Sequence, residues 1–316
     1  MKTETLLFKR TLVSPFIRPK TGTVAPDAVT TPDILVQDNE MDLYIGAVDG
    51  DRERMIHIPF SGEELKTSQS LYVPAEASLI LDAGPNDFDC EHVFDPAVIK
   101  WKNRFMLYYS AMGKGEDAIG VAFSSDGKSF TKNETALLIG RSPEVVINNE
   151  NLFLFYVLNH GGRGYSIFVA NSDDGINFES CGRNPILEPG VSGDWDDMEV
   201  TTPRIFSLED NYYMIYAGIN ENDEKDIPRA FGLARSKDLI VWEKYPHNPV
   251  FKTGEDGTWD DGALWFGTPF SIGDEIYLIY EGGRIINIRG KIPALTQVGL
   301  ARVSKEAFLE KMMLWQ

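Results

Sequence analysis

Five copies of one hairpin pattern constrain the fold of this chain more than any other feature. Each copy has a proline, a short apolar run, a polar turn and an aromatic-rich run, a pattern typical of two strands joined by a tight hairpin. The copies are PDILV–MDLYI, PAVIKW–RFMLYY, PEVVI–LFLFY, PRIFSL–YYMIY and PFSI–IYLIY, and they contain Pro32, Pro96, Pro143, Pro203 and Pro269. Successive prolines are about 60 residues apart, so each repeat unit is large enough for a small sheet.

A second motif follows the hairpins in phase with them. The segments IGVAFSSDGKSF, IFVANSDDGINF and FGLARSKDLIVW each lead from a third strand into Ser-x-Asp and then to an aromatic residue, while RMIHIPFSGEE and VGLARVSKEAF are weaker copies. Serine and aspartate side chains can bond local backbone groups, so we interpret the motif as a structural turn. We expect Phe130, Phe178 and Trp242 to begin a fourth strand and to pack between neighbouring units.

Four-stranded units of this kind cannot bury both faces alone, so they must pack against one another. We therefore predict an all-β fold, a five-bladed β-propeller of four-stranded antiparallel blades, as one domain over residues 1–316. The blades are expected to begin near 32, 96, 143, 203 and 269. A linear β-solenoid is the competing geometry, but its short coils would not need four strands each. TLLFKRTLV near the N-terminus is expected to complete the last blade, and SKEAFLEKMML to form a short C-terminal helix.

Charge and cysteine content limit the partners. The formal net charge of −18 repels nucleic acid and anionic membranes, and no stretch approaches a membrane span or a signal-peptide core. Cys90 and Cys181 lack zinc-ligand spacing and are expected to be free thiols, which favours a cytoplasmic protein. We expect no metal ligand set and no cofactor, with a structural or channel Ca²⁺ left open, as is the oligomeric state.

Acidic residues cluster around the repeated proline. In a propeller the innermost strands line one central channel, so equivalent positions of each repeat should meet there. Asp33, Asp95 and Glu144 stand directly beside a proline, and Glu199 precedes Pro203 by four positions. Carboxyls that meet from different blades push their pKa values apart and can supply one acid and one base, as glycosidic-bond cleavage requires. Capping of strand ends is the alternative interpretation.

Other residues are candidates for substrate contact. Trp195 and Trp259 each precede two aspartates and could stack on a sugar ring, although their recurrence favours a structural role in filling gaps between blades. Arg204 follows a repeated proline, Arg284 lies in a glycine-rich loop, and His92 precedes Pro96 by four positions. These last three could bind substrate or phosphate.

The repeated blade resembles the five-bladed propeller glycosidases over roughly residues 30–310. The resemblance is carried by DPAVIKWKNRFMLYYSA, SKDLIVW and DNYYMIYAG. The groups it resembles are arabinanases, arabinofuranosidases and xylosidases, then invertases and levansucrases, then mannoside phosphorylases. Blade order in the arabinanase-like group implies Asp33 as the base, Glu144 as a helper and Glu199 as the acid. The single Asp-Pro pair falls in the second blade, so Asp95 could take any one of these roles.

These features predict a glycoside hydrolase that cleaves short oligosaccharides or small glycosides in the central channel. Glu199 would protonate the leaving oxygen, Asp33 or Asp95 would activate water or attack the sugar, and Glu144 would tune a pKa or hold a hydroxyl. A glycoside phosphorylase using inorganic phosphate is the first alternative, because the phosphorylase group binds phosphate through an arginine that Arg204 matches. A carbohydrate-binding propeller without catalysis is the second. The sugar, the linkage and the stereochemical course are not determined by the sequence.

Overall fold

The computed structural model describes residues 6–37, 40–62, 65, 71–159, 164–223, 227–285 and 294–315. The strands of these residues, numbered in chain order, form five sheets that we call blades 1 to 5. Blade 1 contains β3 (Ala28–Gln37), β4 (Glu40–Asp49), β5 (Arg52–Ser61) and β7 (Ser78–Leu81). Blade 2 contains β8 (His92–Trp101), β9 (Arg104–Met112), β10 (Ala118–Ser124), β11 (Thr131–Lys132) and β12 (Leu138–Ile139). Blade 3 contains β13 (Arg141–Asn148), β14 (Asn151–Asn159), β15 (Tyr165–Ser172) and β16 (Glu179–Ser180). Blade 4 contains β17 (Glu199–Leu208), β18 (Asn211–Ile219), β19 (Ala230–Ser236), β20 (Glu243–Lys244) and β21 (Phe251–Lys252). Blade 5 contains β22 (Ala263–Ile272), β23 (Glu275–Ile285) and β24 (Ala294–Ser304), joined by β1 (Lys9–Arg10), β2 (Ile17–Arg18) and β6 (Leu71–Tyr72).

The innermost strands close into a ring. Strands β3, β8, β13, β17 and β22 each contact the next in order, and β22 contacts β3 again. The predicted five-bladed propeller is therefore confirmed. The N-terminal segment completes the last blade as predicted, because Lys9 and Arg10 pair with β24 and Ile17 pairs with Val298.

The hydrophobic core consists of five layers, each between two neighbouring blades. The aromatic residues of the Ser-x-Asp motif lie in these layers, where each meets the second strand of the preceding blade edge-on. The pairs are Tyr44–Phe130 at 6.3 Å, Tyr108–Phe178 at 5.9 Å and Phe155–Trp242 at 6.0 Å between ring centroids. Their predicted position between blades is confirmed.

The Ser-x-Asp motif itself forms a turn held by side-chain acceptors. Asp126 Oδ1 accepts from the backbone N–H groups of Lys128 and Ser129, both at 2.8 Å, and Ser124 Oγ accepts from Gly127 at 3.0 Å. The same bonds recur at Ser172-Asp173-Asp174 and Ser236-Lys237-Asp238. The structural interpretation of this motif is thus confirmed.

The repeated prolines lie inside the innermost strands of blades 1 to 4, where each takes part in a β-bulge. The strand pairing skips the proline and the residue before it, and that preceding residue has a positive φ. The positive φ values are 40° at Thr31, 56° at Asp95, 53° at Ser142 and 49° at Thr202.

Blade 5 departs from this pattern. Its bulge lies at Trp265 and Phe266, while Thr268 and Pro269 pair regularly with Ile279 and Leu278. The prediction that Pro269 marks the same position as the other prolines is therefore wrong. An innermost strand is an edge strand that faces the axis, where a proline is tolerated without a bulge.

A helix, α1 (Lys305–Met313), follows blade 5 as predicted. Ser304 caps its N-terminus by accepting from the Ala307 N–H at 3.2 Å, and Phe308 and Met312 are buried against blades 4 and 5. Among the described residues, no helix has both the length and the apolar composition that crossing a membrane requires.

Candidate active site

A cavity of about 580 Å³ lies at one end of the central channel and takes lining residues from all five blades. The bulges supply much of its wall, because a residue of each bulge lines it. These residues are Thr31, Asp95, Ser142, Thr202 and Trp265. The left-handed backbone conformation at four of these positions is the kind of local strain that clusters at functional sites.

Asp95 is a carboxyl of the cavity that accepts from hydroxyl groups of two blades. It is buried, and its Oδ2 accepts from Ser110 Oγ at 2.8 Å and from Ser142 Oγ at 3.2 Å. The Ser142 N–H in turn donates to Ser110 Oγ at 2.7 Å, which ties blade 2 to blade 3 at this point. Hydrogen bonds donated to a carboxylate favour its charged form.

Glu53 on blade 1 and Glu281 on blade 5 both interact with the charge of Asp95. Thr30 Oγ1 donates to Glu53, and the Thr31 N–H donates to Glu281 Oε2 at 2.9 Å. Together with Asp95 they form a set of interacting carboxyls from blades 5, 1 and 2, which we call the carboxyl cluster.

Burial raises the pKa of all three members of the carboxyl cluster. Desolvation is the largest cause at Glu53, where the Asp95 charge adds to it, and the pKa rises to about 7. Desolvation also raises the pKa of Asp95, against the Arg141 guanidinium, which lowers it. At Glu281 desolvation raises the pKa well above its ordinary value, with Glu53 and Asp95 adding repulsion. Such a cluster can hold a proton near neutral pH while another member stays ionised.

Glu199 lines the cavity from blade 4, which lies next to blade 5, the blade that carries Glu281. Its side chain is buried, with 6% exposed. Gly164 packs directly on it, because a Cβ at that glycine would lie 2.5 Å from Glu199 Cγ. Gly164 also has a φ of 92°, so two constraints require glycine there.

Basic and aromatic groups complete the wall. Arg141 lies 5.1 Å above the Phe94 ring, and its Nε is 3.4 Å from Asp117 Oδ2. His92 Nδ1 accepts from the Glu53 N–H at 3.2 Å, so Nε2 carries the proton of the neutral ring. Among the sequence candidates for substrate contact, His92 is the one that lines the cavity.

The sequence interpretation did not select several of the lining residues, among them Glu53, Arg141, Tyr165 and Trp265. Arg141 stands two positions before Pro143, a distance from the proline that the interpretation did not consider. Trp265 was hidden by the shifted bulge of blade 5. Glu53 and Tyr165 lie on third strands, which carry none of the repeated prolines, and no local sequence signal marks them.

Asp33 and Glu144 lie below the cavity, which corrects the expectation that they reach its wall. Asp33 Oδ2 accepts from the Val98 N–H at 2.7 Å, and Glu144 Oε1 accepts from the Ile205 N–H at 2.9 Å. Each follows its proline, on the far side of the bulge from the cavity residue. They therefore bond the main chain of the next blade instead of facing a substrate.

Arg204 lies between these two carboxyls and is fully buried. Its Nη1 is 3.3 Å from Glu144 Oε2, and its remaining donors bond main-chain and hydroxyl oxygens around the axis. Because its donors are all used inside the protein, it does not have the position expected of a phosphate ligand.

Trp195, Trp259 and Arg284 also lie away from the cavity wall. Trp195 packs on Tyr216 of its own blade at 5.6 Å, and Trp259 stacks on Tyr280 at 5.7 Å between ring centroids. Their recurrence thus reflects a repeated packing position, as the structural alternative proposed. Arg284 is half exposed and lies 3.3 Å from Asp261.

Comparisons with known proteins agree with this geometry. Residues 142–289 match the model of glycoside hydrolase family 130, described as β-1,4-mannooligosaccharide phosphorylase. No curated protein sequence matches the chain. One similar solved structure comes from work on the family 130 mannoside phosphorylases, described as containing hydrolases that target β-1,2-mannosidic linkages in Candida mannan. It has a TM-score of 0.70 at 15% identity, covering 97% of this chain and 96% of that one.

The chain has the fold of the five-bladed propeller glycosidases. A glycosyl hydrolase from Bacteroides ovatus has a TM-score of 0.69 at 14% identity, covering 96% of this chain and 94% of that one. A thermostable family-43 glycoside hydrolase has a TM-score of 0.63 at 18% identity, covering 86% and 94%. At these identities the solved structures show that the chain shares their fold, and the family model matches residues 142–289 of its 316.

Proposed function

We propose that this chain is a glycoside hydrolase that cleaves short oligosaccharides or small glycosides in the cavity. The observation that carries the proposal is the meeting of buried carboxyls from four blades around one cavity, with the pKa of Glu53 at about 7. Glycosidic-bond cleavage needs a protonated carboxylic acid and an ionised carboxylate on either side of the bond. A cavity of about 580 Å³ has the volume of an ordinary small-molecule site.

Asp95 and Glu199 are the proposed catalytic pair. Burial raises the pKa of Asp95, but two hydroxyl hydrogen bonds and Arg141 oppose that rise, which suits Asp95 to be the ionised member that activates water or attacks the sugar. Glu199 reaches the cavity from blade 4 and would protonate the leaving oxygen. Glu53 and Glu281 would hold protons and donate them to sugar hydroxyls, and Trp265 offers an aromatic wall for a sugar ring.

Leaving-group dependence tests these roles. A panel of aryl glycosides first identifies a sugar that the native protein cleaves. Asp95→Asn and Glu199→Gln are then assayed on two glycosides of that sugar, one with a good and one with a poor leaving group. We expect Asp95→Asn to lose activity on both, about 10²–10⁴-fold. Glu199→Gln should lose activity on the poor leaving group and keep most of it on the good one, because a good leaving group needs no proton.

Two further variants complete this test. Glu179→Gln, on the exposed outer strand β16, is the control and should match the native protein. If Glu53→Gln shows the leaving-group signature and Glu199→Gln does not, then Glu199 is not the acid. Full activity of Asp95→Asn would remove the catalytic role of Asp95.

A phosphorylase is the second candidate, because the family model that matches residues 142–289 is described by that activity. Among the described lining residues, Arg141 and His92 are the groups suited to bind an anion, and several carboxyls share the cavity with them. Arg204, the sequence candidate for phosphate, is fully bonded at the axis. The test is to add inorganic phosphate and to monitor the reaction by phosphorus NMR, where formation of a sugar phosphate would favour the phosphorylase. Sugar binding without turnover would favour a non-catalytic propeller.

A cytoplasmic location is proposed for the same protein. Cys90 and Cys181 are both free thiols, as expected from the sequence, and unpaired cysteines are usual where the medium is reducing.

Within the described residues, no group of three or more His, Cys, Asp or Glu side chains could hold a metal ion, and the proposed chemistry uses carboxyl groups alone.

A further inference from the structure

Arg204 joins the innermost strands of all five blades from a single position on the axis. It belongs to β17 of blade 4, and its Nη2 donates to Pro96 O at 2.9 Å and its Nη1 to Pro143 O at 2.7 Å. Its Nε donates to Thr268 Oγ1 at 3.1 Å, and that hydroxyl donates onward to Pro32 O at 2.6 Å. The side chain is fully buried. A group that bonds strands from around the whole ring lies at its centre, directly under the cavity.

The Pro96 and Pro143 carbonyl groups, which accept from Arg204, belong to two of the bulges that build the cavity wall. Pro96 follows Asp95, and Pro143 follows Ser142, the residue whose hydroxyl donates to Asp95 at 3.2 Å. Arg204 therefore bonds the main chain directly after Asp95, and it bonds the main chain directly after Ser142, a hydrogen-bond partner of Asp95.

We propose that Arg204 is a positioning residue that sets the location of the Asp95 carboxyl in the cavity through the Pro96 and Pro143 carbonyl groups. The inference rests on the proposed function, in which Asp95 is catalytic. Arginine is needed because its planar guanidinium presents donors on three nitrogens in fixed directions, whereas lysine has one nitrogen. A small displacement of a reacting group is enough to slow a reaction by about 10²-fold.

The charge of Arg204 has a second effect that can be separated from its geometry. Burial raises the pKa of Asp95, while Arg141 and Arg204 lower it. The other charged groups that face Asp95 are Glu53 on β5 and Glu281 on β23. Lysine at position 204 would keep the charge and lose the geometry, whereas methionine would lose both.

The main experiment compares the native protein with Arg204→Lys and Arg204→Met on the same cleaved glycoside. Both variants should lower kcat about 10–100-fold with a smaller change in KM, because Arg204 is not itself a lining residue of the cavity. Arg204→Met should also move the acidic limb of the kcat–pH profile to higher pH, and Arg204→Lys should not. A merely structural role would not produce this difference. Native kcat in Arg204→Lys overturns the inference.

Thr268 provides a milder pair of variants in case substitution of Arg204 prevents folding. Thr268→Val removes the hydroxyl that accepts from Arg204, and Thr268→Ser keeps it. We expect kcat to fall several-fold in Thr268→Val and to stay within about twofold of the native value in Thr268→Ser. Equal kcat in the two variants overturns the inference.

A separate readout distinguishes failure of this inference from failure of the proposed function. If the native protein cleaves no glycoside, the proposed function fails, and the titration of the Asp95 carboxyl carbon is followed by NMR instead. The pKa of Asp95 should rise in Arg204→Met and stay near its native value in Arg204→Lys. An unchanged Asp95 carboxyl-carbon chemical shift in both Arg204→Lys and Arg204→Met overturns the inference without reference to turnover.

Discussion

Glu53 has its carboxyl group at the cavity wall, where the Thr30 hydroxyl donates to it and Asp95 lies nearby. Burial outweighs the stabilising hydrogen bond, so its pKa in the folded protein is about 7 rather than its ordinary value of 4.5. Between these two pH values the folded protein therefore holds a proton that the unfolded chain has released. Folding stability contributed in this way is complete below about pH 4.5 and is lost as pH rises through about 7.

Substitution of Glu53 should reveal this linkage. We expect the native free energy of unfolding to fall between pH 5 and pH 7, and Glu53→Gln to reduce that slope by up to about 1.4 kcal/mol per pH unit. Denaturant titrations at several pH values measure it, with Glu179→Gln as the exposed control. Parallel curves for the native protein and Glu53→Gln would show that Glu53 does not titrate in this range.

At the scale of elements, the Ser-x-Asp turn that follows the third strand in blades 2, 3 and 4 contributes to the stability of the protein. Asp174 accepts from the Ile176 and Asn177 N–H groups at 2.8 Å each, and these bonds lower the pKa of its carboxyl. The stability it contributes is present above its ordinary pKa and lost as pH falls below it.

The adjacent residue allows a matched test of this turn. Asp174→Ala should destabilise the protein by about 1–2 kcal/mol, because two N–H groups lose their acceptor. Asp173→Ala changes an exposed neighbour and should stay within about 0.5 kcal/mol of the native protein. Thermal unfolding at neutral pH compares them, and the difference should shrink in acid. Equal melting temperatures would contradict the role of Asp174.

The elements also show how far the sequence could predict the molecule. The hairpin and Ser-x-Asp repeats were enough to predict blades, closure and the packing of Phe130, because these depend on local pattern. Asp95 and Glu199 were found because equivalent repeat positions meet at the axis. Asp33 was misplaced because a bulge turns the residue before a proline and the residue after it to opposite levels of the channel. Glu53 was missed because a third strand reaches the mouth only through tertiary packing.

At the scale of the whole molecule, closure of the ring depends on the N-terminal strands of blade 5. Arg10 Nε bonds Asp260 Oδ2 at 2.7 Å, its Nη2 donates to Lys252 O at 2.7 Å, and its guanidinium lies 4.4 Å above Phe251. Asp260 is buried, with 1% of its side chain exposed. This contact therefore holds Arg10 and strand β1 against blades 4 and 5.

Loss of this ion pair should weaken the closure. Arg10→Met leaves the Asp260 charge buried without its cation and should cost about 3 kcal/mol of stability. Arg235→Met removes an exposed pair with Glu243 and should cost less than about 1 kcal/mol. Chemical denaturation measures both, and early cleavage near the N-terminus by a protease should accompany the first. A cost for Arg10→Met no larger than that for Arg235→Met would refute this account of closure.

The axis below the cavity is filled by the side chains of Arg204, Asp33 and Glu144. These side chains close the central channel at that level, so the cavity does not continue through the molecule. A long polysaccharide therefore cannot thread through the molecule along its axis. If sugars are cleaved in the cavity, the substrate enters and the product leaves through the same opening.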